Sequence, residues 1–146
     1  MNIRPLIKDD LPACAAILER AYSKAPHNEI FKEGNATAYL ENKFVSSKDS
    51  SFVSLDDTGK ITGFILFNIS TWANGKQAVL EEIVVDPEYQ NKGIGKSLVE
   101  YGDTFLKGNG VSSTMLWAKK DEGLIHFYEN QGFSVAGDFV VMFKND

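Results

Sequence analysis

The chain has 146 residues, of which 43% are hydrophobic and 24% are charged, the balance of an ordinary globular protein. This composition excludes a disordered chain and a long repeat array, and the length predicts a single domain over residues 1–146. The formal net charge of −5 argues against nucleic acid and acidic membranes as partners and favours cationic ones.

The cysteine content and the apolar runs predict the cellular compartment of the chain. One Cys cannot form an internal disulfide, and the N-terminus shows no basic and apolar leader pattern, so we expect a cytoplasmic protein. The longest uninterrupted apolar run, residues 139–143, is far shorter than the roughly 20 residues that a membrane-spanning helix requires. Two His and one Cys without ligand spacing also predict that no metal is bound.

Two helices are predicted in the first part of the chain. Apolar residues recur at helical spacing from Leu11 to Tyr22, and Asp9 or Asp10 could cap this helix at its start. A second helix is predicted over residues 36–45, where aromatic and apolar side chains recur every three or four residues. The first helix is expected to pack its apolar face on a core.

The pattern then changes to the residue types of strands. Arms rich in β-branched and aromatic residues, separated by turns that contain Asp, Asn and Gly, predict an antiparallel meander followed by two alternations of helix and strand. The predicted strands cover residues 52–55, 61–69, 78–85, 113–118 and 140–144, and the later helices cover residues 95–107 and 122–131. This order predicts an α+β fold with a mixed, mostly antiparallel central sheet flanked by helices.

The stretch over residues 81–97 is the most informative part of the sequence. It predicts a strand, a turn and the start of a helix, in which Gly93 and Gly95 let the backbone approach a ligand closely. The free N–H groups of a first helical turn attract anions, and Lys92 and Lys96 flank this one. We therefore expect phosphate binding at this turn.

Three phosphate-binding motifs compete for this loop. The nucleoside triphosphate motif Gly-x-x-x-x-Gly-Lys-Ser requires a glycine where Gln90 stands. The dinucleotide motif Gly-x-Gly-x-x-Gly begins at Gly93 but meets Leu98 in place of its third glycine. The spacing therefore disfavours both nucleotide interpretations.

The third motif is complete. Residues 90–95 match the pattern Gln/Arg-x-x-Gly-x-Gly/Ala, and the segment around them resembles the acetyl-coenzyme A (acetyl-CoA) binding segment of the GCN5-related N-acetyltransferase superfamily. Residues 127–133, Phe-Tyr-Glu-Asn-Gln-Gly-Phe, resemble the end of that superfamily's C-terminal helix. The predicted order of elements resembles its fold as well, which implies a sheet whose strands splay at the acetyl-CoA site.

The resemblance implies which residues hold acetyl-CoA. The strand before the loop would pair with the pantetheine arm, and a backbone N–H at Ile83 or Val84 could polarise the thioester carbonyl. The pyrophosphate would lie on the amides of the loop and the first helical turn. The residues expected to bind acetyl-CoA are Ile83, Val84, Val85, Gln90, Asn91, Lys92, Gly93, Ile94, Gly95, Lys96 and Ser97.

Acetyl transfer to an amine also needs groups that move protons. An alkyl ammonium with a pKa of roughly 10 must lose a proton before it attacks, and a carboxylate or water can accept that proton. Strand alternation places Glu81 and Glu82 on opposite faces, where either could equally be a surface carboxylate, and the resemblance favours Glu81. The resemblance also assigns Tyr128 as the acid for the departing thiolate, against the alternative of a core aromatic.

The resemblance further implies that the polar segment between the first two helices covers the acceptor pocket. The acidic residues near it favour a cationic acceptor, and an aminoglycoside, a polyamine, an amino acid and a peptide amine all remain open. The residues expected to contact the acceptor are Tyr22, His27, Asn28, Glu29 and Phe31.

These expectations combine in one function. The resemblance implies an N-acetyltransferase that moves an acetyl group from acetyl-CoA to a primary amine by direct attack in a ternary complex. The alternative is a non-catalytic acyl-CoA-binding sensor or interaction module that keeps the cofactor loop but has no working acceptor site. Homodimers are common among the proteins that the chain resembles, and the apolar residues 139–143 could support one.

Overall fold

The structure, a computed structural model, describes residues 1–145 of the chain. The strands are β1 (Asn2–Pro5), β2 (Ser51–Leu55), β3 (Ile61–Trp72), β4 (Gly75–Val85) and β5 (Val111–Met115). The helices are α1 (Leu11–Tyr22), α2 (Asn35–Ser47), α3 (Ile94–Gly108) and α4 (Glu122–Asn130), with short 3-10 turns at Lys8–Asp10 and Pro87–Tyr89. Within the described residues, no helix has the length and apolar character needed to cross a membrane.

The strands form one sheet in the order β1-β2-β3-β4-β5. Neighbouring strands are antiparallel except β4 and β5, which run parallel because α3 connects them. Helices α1 and α2 cover one face of the sheet, and α3 covers the other. This architecture confirms the predicted α+β class with a mixed, mostly antiparallel sheet flanked by helices.

Two apolar clusters lie on the two faces of the sheet. On one face, Leu18 of α1 and Leu40 of α2 pack in a cluster with Phe64 of β3, and all three side chains are buried. On the other face, Phe67 of β3 packs against α3 at Gly102, where an added Cβ would overlap the Phe67 ring. The close approach of α3 to the sheet therefore requires glycine at position 102.

Asp10 joins β1 to α1 instead of capping the helix. Its carboxylate accepts hydrogen bonds from the Arg4 guanidinium at 2.7 and 2.9 Å and from the Ile7 N–H at 2.9 Å. The hydrogen bonds from Arg4 hold the pKa of this carboxyl below its usual range. The predicted side-chain cap at Asp10 is therefore wrong, because Arg4 and the Ile7 amide already engage its oxygens.

The last predicted strand, residues 140–144, is not formed. These residues run without regular secondary structure and leave Val140 and Phe143 exposed. A strand needs a neighbouring edge for its backbone hydrogen bonds, and no strand of the described residues pairs with this segment. Conversely, β1 is absent from the sequence prediction because its four residues include Arg4 and Pro5 and show little apolar alternation.

Candidate functional site

The parallel strands β4 and β5 separate toward their C-terminal ends. Their pairing runs from Lys76 opposite Val111 to Val79 opposite Met115. Beyond Val79, the β4 backbone through Val85 has no sheet partner on this side among the described residues. A cleft of about 1250 Å³ opens here, with β4 as its floor and the four helices contributing its walls. This is the splay that the resemblance implied.

One part of the cleft is built from the N-terminus of α3. Gly93 precedes the helix with a φ of +80°, a left-handed conformation that favours glycine. The first turn of α3 has backbone N–H groups without helical partners, and they carry the positive end of the helix dipole. At Gly95 an added Cβ would lie 3.3 Å from the Phe127 ring of α4, so two walls approach closely. This part of the cleft could hold the phosphate groups of a cofactor.

A buried carboxylate fixes the turn that leads into α3. Asp86 is fully buried, and its Oδ2 accepts a hydrogen bond from the Arg20 guanidinium of α1 at 2.7 Å. Its Oδ1 accepts a hydrogen bond from the Glu88 N–H at 3.1 Å, and its own N–H donates to the Thr62 carbonyl oxygen at 2.8 Å. The turn is therefore anchored to both α1 and β3.

A β-bulge sets the directions of the two glutamates of β4. The pairing of β4 with β3 shifts by one residue at this point, and Glu81 is the extra residue without a partner opposite it. Both side chains consequently reach helices on the same face of the sheet, since Glu81 contacts α2 and Glu82 contacts α1 and α2. The predicted placement of Glu81 and Glu82 on opposite faces is therefore wrong, because the bulge interrupts the alternation of the strand.

Glu82 binds two tyrosines inside the cleft. Its Oε1 accepts a hydrogen bond from the Tyr39 hydroxyl at 2.7 Å, and its Oε2 accepts one from the Tyr22 hydroxyl at 2.9 Å. Burial among the surrounding helices raises the pKa of Glu82, although the hydrogen bonds from Tyr39 and Tyr22 oppose this rise. Glu82 therefore accepts a proton more readily than an exposed glutamate does.

Tyr128 reaches the cleft from α4. Its ring makes edge contacts with Phe127 and Phe133, at centroid distances of 5.2 and 5.9 Å. Burial, followed by the negative charge of Glu82, raises the pKa of Tyr128 to about 12. The hydroxyl therefore stays protonated at physiological pH and can donate a proton or a hydrogen bond.

Two residues of α2 that the sequence analysis did not assign also line the cleft. Tyr39 binds Glu82, and Lys43, one helical turn later, places its Nζ 2.9 Å from Glu81 Oε2. The sequence carries a signal for Lys43, because this residue lies three positions after Leu40 and therefore on the apolar side of the predicted helix. A lysine in such a position needs an acidic partner within the fold.

The segment between α1 and α2 holds Tyr22 in place. The His27 ring stacks on the Tyr22 ring at a centroid distance of 4.2 Å, and Phe31 contacts it edge-on at 6.1 Å. Lys119, on the segment before α4, has its Nζ 3.5 Å from the His27 carbonyl oxygen. Burial, followed by the charge of Lys119, lowers the pKa of His27, so its ring is neutral at physiological pH.

Most of the predicted site residues lie together in this cleft. Those that line it are Tyr22, His27, Glu29, Glu81, Glu82, Ile83, Val84, Val85, Gln90, Asn91, Gly93, Ile94, Gly95, Lys96 and Tyr128. Asn28 and Phe31 are not among the lining residues, and Lys92 turns to the Tyr89 ring, with its Nζ 5.4 Å from the ring centroid. Ser97 faces a separate groove beside α3.

The cleft has two halves that differ in construction. We call the part lined by residues 83–85 and 90–96 the cofactor half, and the part lined by Tyr22, Tyr39, Lys43, Glu81 and Glu82 the acceptor half. The cofactor half presents mainly backbone groups at a strand edge and a helix start. The acceptor half presents carboxylate, hydroxyl and ammonium side chains.

Comparison with known proteins decides the family of the chain. The model of the Acetyltransferase (GNAT) family matches residues 11–133, which is most of the sequence. The chain belongs to the GNAT family. This confirms the resemblance that residues 90–95 and 127–133 carry.

Proteins that are similar in sequence to this GNAT chain include several whose names contain N-acetyltransferase. An uncharacterized N-acetyltransferase of Methanocaldococcus jannaschii is 30% identical over 136 residues, which cover 90% of this chain and 60% of that protein. The [ribosomal protein bS18]-alanine N-acetyltransferase of Escherichia coli K12 is 28% identical over 136 residues, which cover 92% of this chain and 82% of that protein. The chain spans 60%, 41% and 40% of the lengths of three curated relatives that it matches.

A solved structure shows the same fold. The PaiA N-acetyltransferase of Thermoplasma acidophilum, crystallised in complex with coenzyme A, matches the GNAT chain with a TM-score of 0.74 at 24% sequence identity. The match covers 92% of this chain and 90% of that one. The order and packing of the elements are therefore shared.

Proposed function

We propose that this GNAT chain is an acetyl-CoA-dependent N-acetyltransferase that acts on a primary amine. The observation that carries the proposal is the unpartnered edge of β4 beyond Val79, which joins the N-terminus of α3 to the side chains of Glu82 and Tyr128 within one cleft. An extended, amide-containing arm can add to such an edge as a further strand. One open strand edge thus connects an anion-binding turn to two groups that can move protons.

The cofactor half fits the parts of acetyl-CoA. The open edge at residues 83–85 offers N–H and C=O groups to pantetheine amides, and the first turn of α3 offers N–H groups to a pyrophosphate. The cleft of about 1250 Å³ exceeds the roughly 300–1,000 Å³ of ordinary small-molecule pockets, as a ligand of this length requires. Bound acetyl-CoA supplies the acetyl group in the activated form of a thioester.

Glu82 is the proposed base. An amine acceptor is protonated at neutral pH and must lose its proton to Glu82, directly or through a water molecule, before it can attack. The burial that raises the pKa of Glu82 strengthens it as a proton acceptor. Glu81 is already paired with Lys43, which favours Glu82 over Glu81 for this role.

Tyr128 is the proposed acid. Because its pKa is about 12, Tyr128 keeps its proton at a pH where Glu82 is ionised, as an acid and base pair requires. Its hydroxyl donates a hydrogen bond or the proton to the departing sulfur. Direct attack of the amine is supported by the state of the single cysteine, because Cys14 is buried and its thiol pKa is raised to about 12.

The acceptor is proposed to be a small cationic amine or a peptide amine. The carboxylate of Glu82 attracts a positive charge, and the ring of Tyr22 with its neighbour His27 gives the same region apolar walls. The relatives differ in the acceptors of their names, since one is named for a ribosomal protein alanine and two are named mycothiol acetyltransferases.

The test combines ligand binding with turnover. Thermal unfolding is measured with acetyl-CoA, coenzyme A, ATP and NAD in parallel, and we expect only the coenzyme A species to raise the melting temperature. Release of the coenzyme A thiol is then followed with a panel of primary amines, and we expect release well above hydrolysis of acetyl-CoA alone. Stabilisation without amine-dependent release would favour the non-catalytic sensor, and stabilisation only by ATP or NAD would overturn the cofactor assignment.

We also propose that the chain forms a homodimer in the cytoplasm. The apolar side chains of residues 139–143 are exposed by 64 to 87%, and Met115 and Trp117 beside the open edge of β5 are exposed as well. Apolar surface of this extent marks an interaction site. The unpaired Cys14 fits a reducing compartment. Analytical ultracentrifugation should show a dimer that Val140→Ser and Met142→Ser weaken, since neither residue lines the cleft, and a monomeric wild-type chain would contradict this proposal.

A further inference from the structure

The two carboxylates at the β-bulge differ in their charge balance. Lys43 Nζ lies 2.9 Å from Glu81 Oε2, and the two side chains are only 32% and 12% exposed. An ion pair in such a position is screened less by solvent and salt than a pair on the open surface. Glu81 therefore presents little net charge to the cleft.

Glu82 is held by neutral groups instead. The hydroxyls of Tyr22 and Tyr39 donate hydrogen bonds to it, but they carry no positive charge. The charge of Lys43 lowers the pKa of Glu82 through space, while the hydrogen bond of Lys43 goes to Glu81. The bulge consequently displays one uncompensated carboxylate in place of two.

Two exposed residues of opposite charge also line this region. Glu29 lines the cleft from the segment after α1, and Lys119 lines it from the segment before α4. Both residues are exposed, and both act on the pKa of His27, with opposite signs. Exposed charges are screened by solvent, so this pair adds little net charge to the acceptor half.

The position of Lys43 is tied to that of Tyr39. The two residues stand one turn apart on α2, and they bind the adjacent residues Glu81 and Glu82. Lys43 Nζ also lies 5.7 Å from the centroid of the Tyr39 ring, a distance at which a cation is attracted to the ring face. Because Lys43 and Tyr39 bind different glutamates, a change at Lys43 removes the cation paired with Glu81 and leaves the hydrogen bond from Tyr39 to Glu82 in place.

We propose that Lys43 sets the acceptor specificity of the cleft. By neutralising Glu81 it leaves one carboxylate for one ammonium group, so a second ammonium group on the same acceptor finds no free carboxylate. This inference rests on the proposed function and narrows its acceptor to amines that carry a single positive charge. Diamines and polyamines are disfavoured.

The test compares n-butylamine with 1,4-diaminobutane, which share a carbon skeleton and differ by one ammonium group. In Lys43→Gln, Glu81 becomes free to bind the second ammonium, so the ratio of kcat/KM for the diamine to that for the monoamine should rise about tenfold over wild type. Lys43→Arg keeps the positive charge and should keep the wild-type ratio. Lys107→Gln breaks the exposed 2.9 Å pair with Asp103 on α3 and is the matched control.

Glu81→Gln reverses the change. It leaves Lys43 uncompensated, so the same ratio should fall below the wild-type value. The double variant Lys43→Gln/Glu81→Gln removes both charges and should return the ratio toward wild type, which a purely structural effect of either variant would not do. If Lys43→Gln does not fold, the fall in Glu81→Gln decides the question.

The outcomes separate this inference from the proposed function. An unchanged ratio in a folded Lys43→Gln protein, with normal stabilisation by coenzyme A, overturns the role of Lys43 alone. Absence of thiol release from the wild-type protein with every member of the amine panel overturns the proposed function. In that case NMR titration of the protein with coenzyme A bound gives the dissociation constants of the two amines. The ratio of the affinity for the diamine to that for the monoamine then replaces the ratio of kcat/KM values. The same rise supports the role of Lys43, and equal ratios overturn it.

Discussion

The two halves of the cleft are built from different kinds of segment, one continuous in the sequence and the other assembled from distant elements. The cofactor half comes from one continuous stretch, residues 83–96, and offers mostly backbone groups. The acceptor half collects side chains from α1, α2 and β4, and the hydrogen-bonded residues Tyr22 and Glu82 are 60 positions apart. Recognition by backbone depends on local geometry and tolerates many side-chain changes, whereas recognition by side chains depends on how distant elements pack.

This difference predicts that the two halves respond separately to mutation. Side-chain changes in the acceptor half should alter kcat or acceptor preference at an unchanged affinity for coenzyme A. A change that blocks the backbone path of the cofactor half should weaken coenzyme A binding at an unchanged kcat. The substitutions below test this separation.

Glu82→Gln should give the largest effect. The amide has the size of the carboxyl group but cannot take up the amine proton, so kcat should fall about 10³-fold, within the range of general base catalysis. Calorimetry should show an unchanged dissociation constant for coenzyme A. Glu100→Gln, on the exposed face of α3, is the control. A kcat near wild type would transfer the role of base to Glu81 or to water.

Tyr128→Phe comes next. The phenyl ring keeps the packing on Phe127 and Phe133 but removes the hydroxyl, so kcat should fall about 10²-fold while coenzyme A still binds. Tyr101→Phe on α3, outside the cleft, is the matched control. Full activity of Tyr128→Phe across the pH range would remove the proposed acid.

Gly95→Ala tests the cofactor half. The added methyl group would lie 3.3 Å from the Phe127 ring and narrow the path along the N-terminus of α3, so the affinity for coenzyme A should fall about tenfold, or about 1.4 kcal/mol. Gly137→Ala, which meets no atom within 4 Å, is the control. A loss of kcat at saturating acetyl-CoA, without a loss of affinity, would show that the halves are not separable.

Tyr39→Phe should give the smallest effect, and one that depends on pH. The 2.7 Å hydrogen bond from Tyr39 lowers the pKa of Glu82, so its removal should raise that pKa further. A base works when ionised, and its activity is present above its pKa and lost as the pH falls through it. The acidic limb of the kcat profile should therefore move to higher pH, and an unmoved limb would contradict the contact's proposed role.

The fold and the cofactor half could be predicted from the sequence because their determinants are local. The glycine at position 93, the strand before it and the helix after it are adjacent in the chain, and the structure has them in that order. The prediction of a strand at residues 140–144 was wrong because its determinants are not local. An apolar run indicates strand propensity, but the edge that would pair with it is a property of the whole fold.

The acceptor half could be predicted only in part. Glu81 and Glu82 are visible in the sequence, but the register shift that turns both toward the same helices arises when β4 pairs with β3. Tyr39 and Lys43 approach them only after α2 packs on the sheet. The sequence marks Lys43 as a lysine on an apolar helix side, but its pairing with Glu81 and that of Tyr39 with Glu82 depend on the packing of distant elements.

The extra residue in β4 has a consequence for the gene as well as for the strand. Glu81 lies two positions after Val79, where the pairing of β4 with β5 ends, and bulges bend a strand and increase its twist. Deleting codon 81 would leave Leu80 and Glu82 on the sheet faces that they already occupy, so the core would keep its pattern. Yet we expect β4 to straighten and to pair with β5 over more residues. The cleft would then close, and the deletion variant should no longer bind coenzyme A. The presence or absence of a single codon would then decide whether the cleft between β4 and β5 is open or closed.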